Sequence, residues 1–189
     1  MGDTARTFIS IDIKPEMPIV DLWQKLRTAL KGDSIKWVDQ STIHLTLLFL
    51  GDTPVTHIKP IANALKENLA GVSPFGICIK GVGVFGGSNP RVVWLGVEAS
   101  KELDELKHLV DRVLVRFGYE DENKTFSPHL TLGRIKFLRN KLPLSSVVAQ
   151  FSDAIFQKVE VSQVTFYQSI LSQQGPVYKP LRIIPLGVN

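Results

Sequence analysis

One four-residue word occurs twice in the sequence: His-Leu-Thr-Leu stands at residues 44–47 and again at 129–132. The two copies use half of the chain's 4 histidines and lie 85 residues apart. In a β-strand, residues i and i+2 share a face and lie about 6.6 Å apart. Each copy therefore predicts a strand with a histidine and a threonine on one face and two leucines in the core. A spacing near half of the chain length also predicts two related halves.

The remaining hydrophobic pattern predicts a mixture of strands and helices. Alternating apolar residues predict strands over 6–13, 35–38, 41–50, 75–79, 92–97, 129–135, 156–161, 164–171 and 178–184. Helical spacing predicts helices over 19–30, 58–69, 103–117 and 145–151, with Ser100 as the N-cap of the third. Because strands and helices do not alternate regularly, we expect an α+β fold with largely antiparallel sheets.

Composition excludes several classes of protein. With 44% hydrophobic and 21% charged residues and a single cysteine, the chain is neither disordered nor a disulfide scaffold. Residues 1–6 are polar, and no apolar run approaches the roughly 20 residues of a membrane span. We therefore expect a cytoplasmic protein without a membrane anchor. The net charge of +4 permits an anionic partner such as RNA or a phosphate ester.

The residue types in the repeated word indicate a chemistry. If both strands face a common cleft, His44, Thr46, His129 and Thr131 converge there. One neutral imidazole then takes a proton from water, while the other, protonated, gives one to a departing oxygen. The two hydroxyls donate to phosphate oxygens. Such a site cleaves a phosphodiester without a metal ion, and the chain lacks the usual sequence patterns of metal sites. We expect no metal and no cofactor.

The context of the two words is more specific. Five segments of the chain resemble the 2H phosphoesterase superfamily, which is defined by paired His-x-Thr-x motifs. They are residues 6–12, 37–52, 90–97, 126–134 and 166–171, the last followed by Gly175 and Tyr178. The similarity covers nearly the whole chain and is closest to the RNA 2′,3′-cyclic phosphodiesterases, once named 2′-5′ RNA ligases. The resemblance implies one bilobal domain over 1–189, with two pseudo-symmetric, mostly antiparallel sheets and flanking helices around a central groove.

The resemblance also implies a reaction. Its substrate is RNA with a 2′,3′-cyclic phosphate end, or a cyclic nucleotide, and its product is a 2′-phosphate. His44 corresponds to the proton donor to the leaving O3′, and His129 to the base that activates water; the sequence alone does not rank the two. Arg134 matches a family arginine that contacts phosphate. Joining of RNA ends in a 2′-5′ linkage is implied as a reverse reaction, with hydrolysis dominant in water.

Two residues outside the words are predicted to bind substrate. Strict alternation turns Arg134 away from the face of His129, and a bulge at Gly133 or a strand end would turn it back. Phe8 shares the polar face of its strand with Ser10, so we expect its ring to stack on a base. Weaker candidates are four further aromatic residues, for most of which core packing is the better interpretation: Trp37, Phe85, Trp94 and Tyr167. Two basic residues, Lys36 and Arg91, could contact RNA phosphates or simply be solvated.

Three alternatives stay open at this point. The histidines could be ordinary strand residues, although the duplicated word argues against that. The enzyme could act on another nucleotide, such as the cyclic phosphate of ADP-ribose or a 2′-5′ oligoadenylate. The chain could also bind RNA or a nucleotide without turnover, which two intact motifs disfavour. We expect a monomer, because the predicted site is complete within one chain.

Overall fold

The computed structural model describes residues 3–120, 125–173 and 175–187. The sequence also predicts a polar loop over 119–127 and a turn over 172–175. Residues 121–124 of this loop and residue 174 of this turn lie outside the described residues. The described strands are β1 (Thr4–Asp12), β2 (Ser34–Trp37), β3 (His44–Pro54), β4 (Phe75–Phe85), β5 (Val92–Val97), β6 (His129–Phe137), β7 (Ile155–Val161), β8 (Gln163–Ser172) and β9 (Gly175–Pro185). The described helices are α1 (Met17–Ala29), α2 (Val55–Leu69), α3 (Lys101–Val115) and α4 (Leu142–Gln150).

These strands form a single antiparallel sheet in the order β7-β4-β5-β6-β3-β1-β8-β9, with β2 also paired to β6. The predicted α+β fold with antiparallel strands is thereby confirmed. Four strands of this path lie on each side of the junction between β3 and β6, where Leu45 pairs with Leu130. The two sheets predicted for the halves are joined into one at this junction.

The helices pack in two pairs. Helices α1 and α4 contact each other and lie against β7 and β4, while α2 and α3 contact each other and lie against β3 and β9. Each helix turns an apolar stripe to the sheet, as with Ile61, Leu65 and Leu69 in α2, which are fully buried. The Ser100 hydroxyl accepts a hydrogen bond from the Leu103 N–H at 3.2 Å, which confirms the predicted N-cap. No described helix is long and apolar enough to cross a bilayer.

Two strand boundaries differ from the prediction for local reasons. β3 begins at His44 rather than at residue 41, because Gln40–Thr42 form a short 3-10 helix. The Asp39 carboxylate caps that turn by accepting the Ser41 N–H at 2.9 Å. β4 continues through the glycine-rich stretch to Phe85, and its register with β5 is irregular around Gly81, whose φ is +77°. The glycine-rich stretch is therefore a bulged continuation of the strand, which is the interpretation that the sequence favours for residues 81–87.

Candidate active site

The junction of β3 and β6 places the two His-Leu-Thr-Leu words side by side. Their first leucines, Leu45 and Leu130, form the registered antiparallel pair and are buried. One position to either side, the histidine of each word lies across from the threonine of the other, on the face opposite the leucines. All four polar side chains line one cavity of about 510 Å³: His44, Thr46, His129 and Thr131. The fold therefore produces the convergence that the repeat predicts.

Each word also carries a one-residue bulge at its last leucine. The register between β1 and β3 skips Leu47, and the register between β5 and β6 skips Leu132. A bulge resets the alternation of side chains along a strand. The fifth residue after each histidine, Phe49 in β3 and Arg134 in β6, therefore returns to the cavity face, and both line the cavity. Arg134 reaches the site through a bulge one residue earlier than the sequence predicted.

Both imidazoles are held by the same kind of hydrogen bond. The Nδ1 of His44 lies 2.7 Å from the carbonyl oxygen of Thr42, and the Nδ1 of His129 lies 2.7 Å from that of Ser127. A carbonyl oxygen only accepts, so Nδ1 carries the hydrogen and donates in both rings. In the neutral state each Nε2 then has a free lone pair, which a base needs to accept a proton.

Aromatic rings surround the two histidines differently. The Phe8 ring lies 5.0 Å from the His44 ring, and Tyr178 meets His44 edge-on at 5.2 Å. Phe85 meets His129 edge-on at 4.8 Å, and Trp94 lies 6.4 Å from it. These contacts restrict the motion of both imidazoles. Tyr178 comes from β9 and Phe85 from β4, so distant parts of the chain fix each ring.

The charges around the cavity favour an anionic ligand. The lining includes the basic side chains of Arg6, Lys36 and Arg134, and among the described lining residues only Asp39 adds a carboxylate. Hydrogen bonds from the Ser41 hydroxyl and backbone N–H lower the pKa of Asp39, so this carboxylate stays ionised. Three cations against one anion leave a positive field in the cavity.

Burial lowers the pKa of His44 below its ordinary value, and the positive charges of Arg134 and His129 act in the same direction. The hydrogen bond to the Thr42 carbonyl and the Asp12 carboxylate oppose this shift. Asp12 stands directly opposite His44 in the pairing of β1 with β3. In the free protein at neutral pH, the His44 ring is therefore predominantly neutral.

Two copies of one motif line the same cavity, and a bulge in β6 brings Arg134 to it. A family model described as the 2′-5′ RNA ligase superfamily matches residues 15–170. The chain belongs to this superfamily. The resemblance seen in the sequence is thereby confirmed.

Relatives named RNA 2′,3′-cyclic phosphodiesterase share much of the sequence. The protein from Methanothermobacter thermautotrophicus is 32% identical over 186 residues, 96% of this chain and 98% of the relative. The protein from Aeropyrum pernix is 38% identical over 79% of this chain and 85% of the relative. The protein from Thermotoga maritima is 35% identical over 93% of this chain and 92% of the relative.

Solved structures show the same fold. A protein from Thermus thermophilus superimposes with a TM-score of 0.78 at 25% identity, over 97% of this chain and 98% of that protein. LigT of E. coli in complex with 3′-AMP superimposes with a TM-score of 0.72 at 24% identity, over 97% of this chain and 99% of LigT.

In this 2′-5′ RNA ligase superfamily member, the ring of Phe8, which was predicted to stack on a base, is covered by other side chains of the protein. Phe8 lines the cavity but is only 3% exposed, because His44, Tyr167 and Tyr178 pack around its ring. The open ring is that of Phe49, which is 51% exposed and has the Arg6 guanidinium 4.9 Å from its centroid. Phe49 was not among the predicted site residues, although the adjacent leucines 47 and 48 break the alternation and signal a bulge.

The weaker candidates divide between the cavity and its surroundings. Lys36 and Trp37 line the cavity, as β2 forms one of its walls. Phe85 and Trp94 pack around His129, and Tyr167 lies behind Phe8. Arg91 is not among the lining residues. In the described ranges, no group of three His, Cys, Asp or Glu side chains is arranged to hold a metal ion.

Proposed function

We propose that this protein hydrolyses the 2′,3′-cyclic phosphate at the end of an RNA chain to a 2′-phosphate, without a metal ion. The observation that carries the proposal is the pair of Nδ1-anchored histidines, each across from a threonine, in one positively charged cavity. Two proton-transfer groups, hydroxyl donors and cations are what an in-line displacement at phosphorus requires. The name shared by its relatives supports the choice of substrate.

The reaction needs two proton transfers. His129 takes a proton through Nε2 from a water molecule, whose oxygen attacks phosphorus. The bond from phosphorus to O3′ breaks, and His44 gives its Nε2 proton to O3′. Thr46, Thr131 and Arg134 stabilise the charge on the non-bridging oxygens. Afterwards His129 is protonated and His44 neutral, and exchange with solvent restores the starting state.

The surroundings of His44 support its role as proton donor. Burial keeps this ring neutral in the free protein, but a phosphate anion beside it favours the imidazolium, as the Asp12 carboxylate already does. The substrate therefore promotes protonation of the group that must donate to it. Arg134 holds the same anion, so binding and protonation reinforce each other.

A direct assay tests the reaction. The wild-type protein, His44→Ala and His129→Ala are incubated in EDTA with a cyclic-ended RNA oligomer and with a 2′,3′-cyclic nucleotide, and the product isomer is identified. We expect a 2′-phosphate from the wild type, and each variant to lose at least about two orders of magnitude in rate. Inactivation by EDTA would overturn the metal-free mechanism. A wild type inert on both substrates would favour another cyclic phosphate or a binding role.

A substrate with a better leaving group separates the two histidines. In a nucleoside 2′-phosphodiester of 4-nitrophenol, the nitrophenolate leaves without a proton. His44→Ala should regain most of its activity on this substrate, because only the proton donor has become dispensable, and His129→Ala should not. Rescue of His129→Ala instead would reverse the two assignments.

A further inference from the structure

A second cavity, of about 440 Å³, adjoins the first. The two cavities share three lining residues, Thr42, His44 and Tyr178. Its own lining comes from the end of β1, the 3-10 turn and β8, and includes Asp12, Lys14, Gln40, Ser41 and Tyr167. This volume is large enough for a nucleoside, and nothing in the hydrolysis proposed above uses it.

The walls of this second cavity are fixed by hydrogen bonds. The Gln157 side chain donates to the Lys14 carbonyl oxygen at 3.0 Å and accepts the Glu16 N–H at 3.0 Å, so it clamps the segment that carries Lys14. On the other side, the Asp39 carboxylate holds the 3-10 turn. The cavity is therefore pre-formed, which lowers the entropy cost of binding.

The lining offers three kinds of contact to a ligand. The Asp12 carboxylate accepts a hydrogen bond from the Thr165 hydroxyl at 2.8 Å. Since a carboxylate has about four acceptor positions, it can still take a hydrogen from a ligand. The half-buried rings of Tyr167 and Tyr178 supply aromatic surface, and Lys14 supplies an exposed ammonium group. An acceptor, two rings and a cation match a ribose hydroxyl, a base and a phosphate.

We infer that the second cavity binds the penultimate nucleotide of the RNA, the one on the 5′ side of the nucleotide with the cyclic phosphate. Its base lies against Tyr167 and Tyr178, its 2′-hydroxyl donates to Asp12, and Lys14 binds the phosphate between the two nucleotides. This inference rests on the proposed function, because it extends the same site by one nucleotide. It makes RNA chain ends, rather than free cyclic nucleotides, the preferred substrate.

The test compares kcat/KM for a dinucleotide with a 2′,3′-cyclic phosphate end and for the corresponding cyclic mononucleotide. We expect the wild type to favour the dinucleotide by about tenfold or more, since the additional contacts include a charge-assisted one. Lys14→Gln should reduce this ratio several-fold. A dinucleotide that lacks only the penultimate 2′-hydroxyl should also be a poorer substrate for the wild type.

Lys36→Gln is the matched control, because Lys36 is an exposed lysine that lines only the first cavity. It should lower kcat/KM for both substrates alike and leave their ratio unchanged. Equal kcat/KM for the two substrates in the wild type, or a ratio that Lys14→Gln leaves unchanged, overturns the second subsite while hydrolysis itself stands. Failure to hydrolyse either substrate overturns the proposed function, and this inference with it.

Discussion

At His44, opposing charges act on one imidazole from two different strands. Asp12 of β1 raises its pKa and Arg134 of β6 lowers it. Asp12→Asn should therefore lower the pKa of His44 further, and Arg134→Gln should raise it. An NMR titration of the His44 ring in both variants and the wild type checks the two signs. Shifts in the same direction would contradict the electrostatic description of the site.

Phe49 is the most exposed of the aromatic residues that line the first cavity. Stacking of a base on an aromatic side chain contributes about 1–3 kcal/mol. Phe49→Ala should therefore raise KM for a cyclic-ended RNA by about fivefold or more with little change in kcat. Phe137→Ala is the control, because Phe137 is similarly exposed on β6 but does not line the cavity. Equal effects of the two substitutions would show that Phe49 does not stack on the substrate.

The residues of the repeated word could be predicted from the sequence, since period-two alternation places them without any knowledge of the partner strand. Phe49 could not be found in that way, because its position depends on a bulge whose signal, two adjacent leucines, also fits an ordinary buried strand. Alternation places Phe8 on the correct face, yet burial depends on what packs over a residue. The rings of Tyr167 and Tyr178 arrive there from the far end of the chain.

Among the elements, the packing of β6 against β2 requires a glycine beside the bulge in β6. A Cβ atom at Gly133 would lie 2.9 Å from the Trp37 ring and 3.0 Å from Ile35, both on β2. Gly133→Ala should push β2 outwards and destabilise the fold by about 1–3 kcal/mol, as overpacking commonly does. It should also lower activity, because Trp37 forms part of the cavity wall.

Gly76→Ala on β4 gives the matched comparison. A Cβ at Gly76 meets nothing within 4 Å, so this variant should keep both its melting temperature and its activity. Thermal unfolding of the two variants measures the difference. Equal melting temperatures would show that β2 accommodates the added methyl group without cost.

Most elements could be predicted because each has a clear hydrophobic period and its own end signals, such as Ser100 before α3. The start of β3 could not, since the 3-10 turn over Gln40–Thr42 is set by one capping carboxylate. The second cavity could not be predicted from the sequence, for a different reason. Asp12, Gln40 and Tyr167 lie far apart along the chain, and only the pairing of β1 with β8 and β3 brings them together.

At the scale of the whole molecule, the two four-strand halves meet at Leu45 and Leu130. Leu130→Ala should destabilise the protein by about 2–5 kcal/mol. It should also lower kcat in the molecules that stay folded, because a cavity there loosens the register between the two motifs. Leu65→Ala removes an equally buried leucine from α2 rather than from the β3–β6 junction, so we expect a similar loss of stability with kcat retained.

Denaturant unfolding and kinetics on both leucine variants supply this comparison. If Leu130→Ala retained the wild-type kcat, the junction would be no more than ordinary core. If Leu65→Ala lost kcat to the same extent, catalysis would depend on overall stability rather than on the registration of the two halves.

The carbonyl that accepts the Nδ1 hydrogen of His44 has a thermodynamic consequence. It leaves Nε2 without a hydrogen in the free protein, where burial keeps the ring neutral. A bound anion that raises the pKa of this ring must therefore draw a proton from the buffer. Titration calorimetry with a 2′-nucleotide at neutral pH should give a binding enthalpy that varies with the ionisation enthalpy of the buffer. His44→Ala should abolish most of that variation.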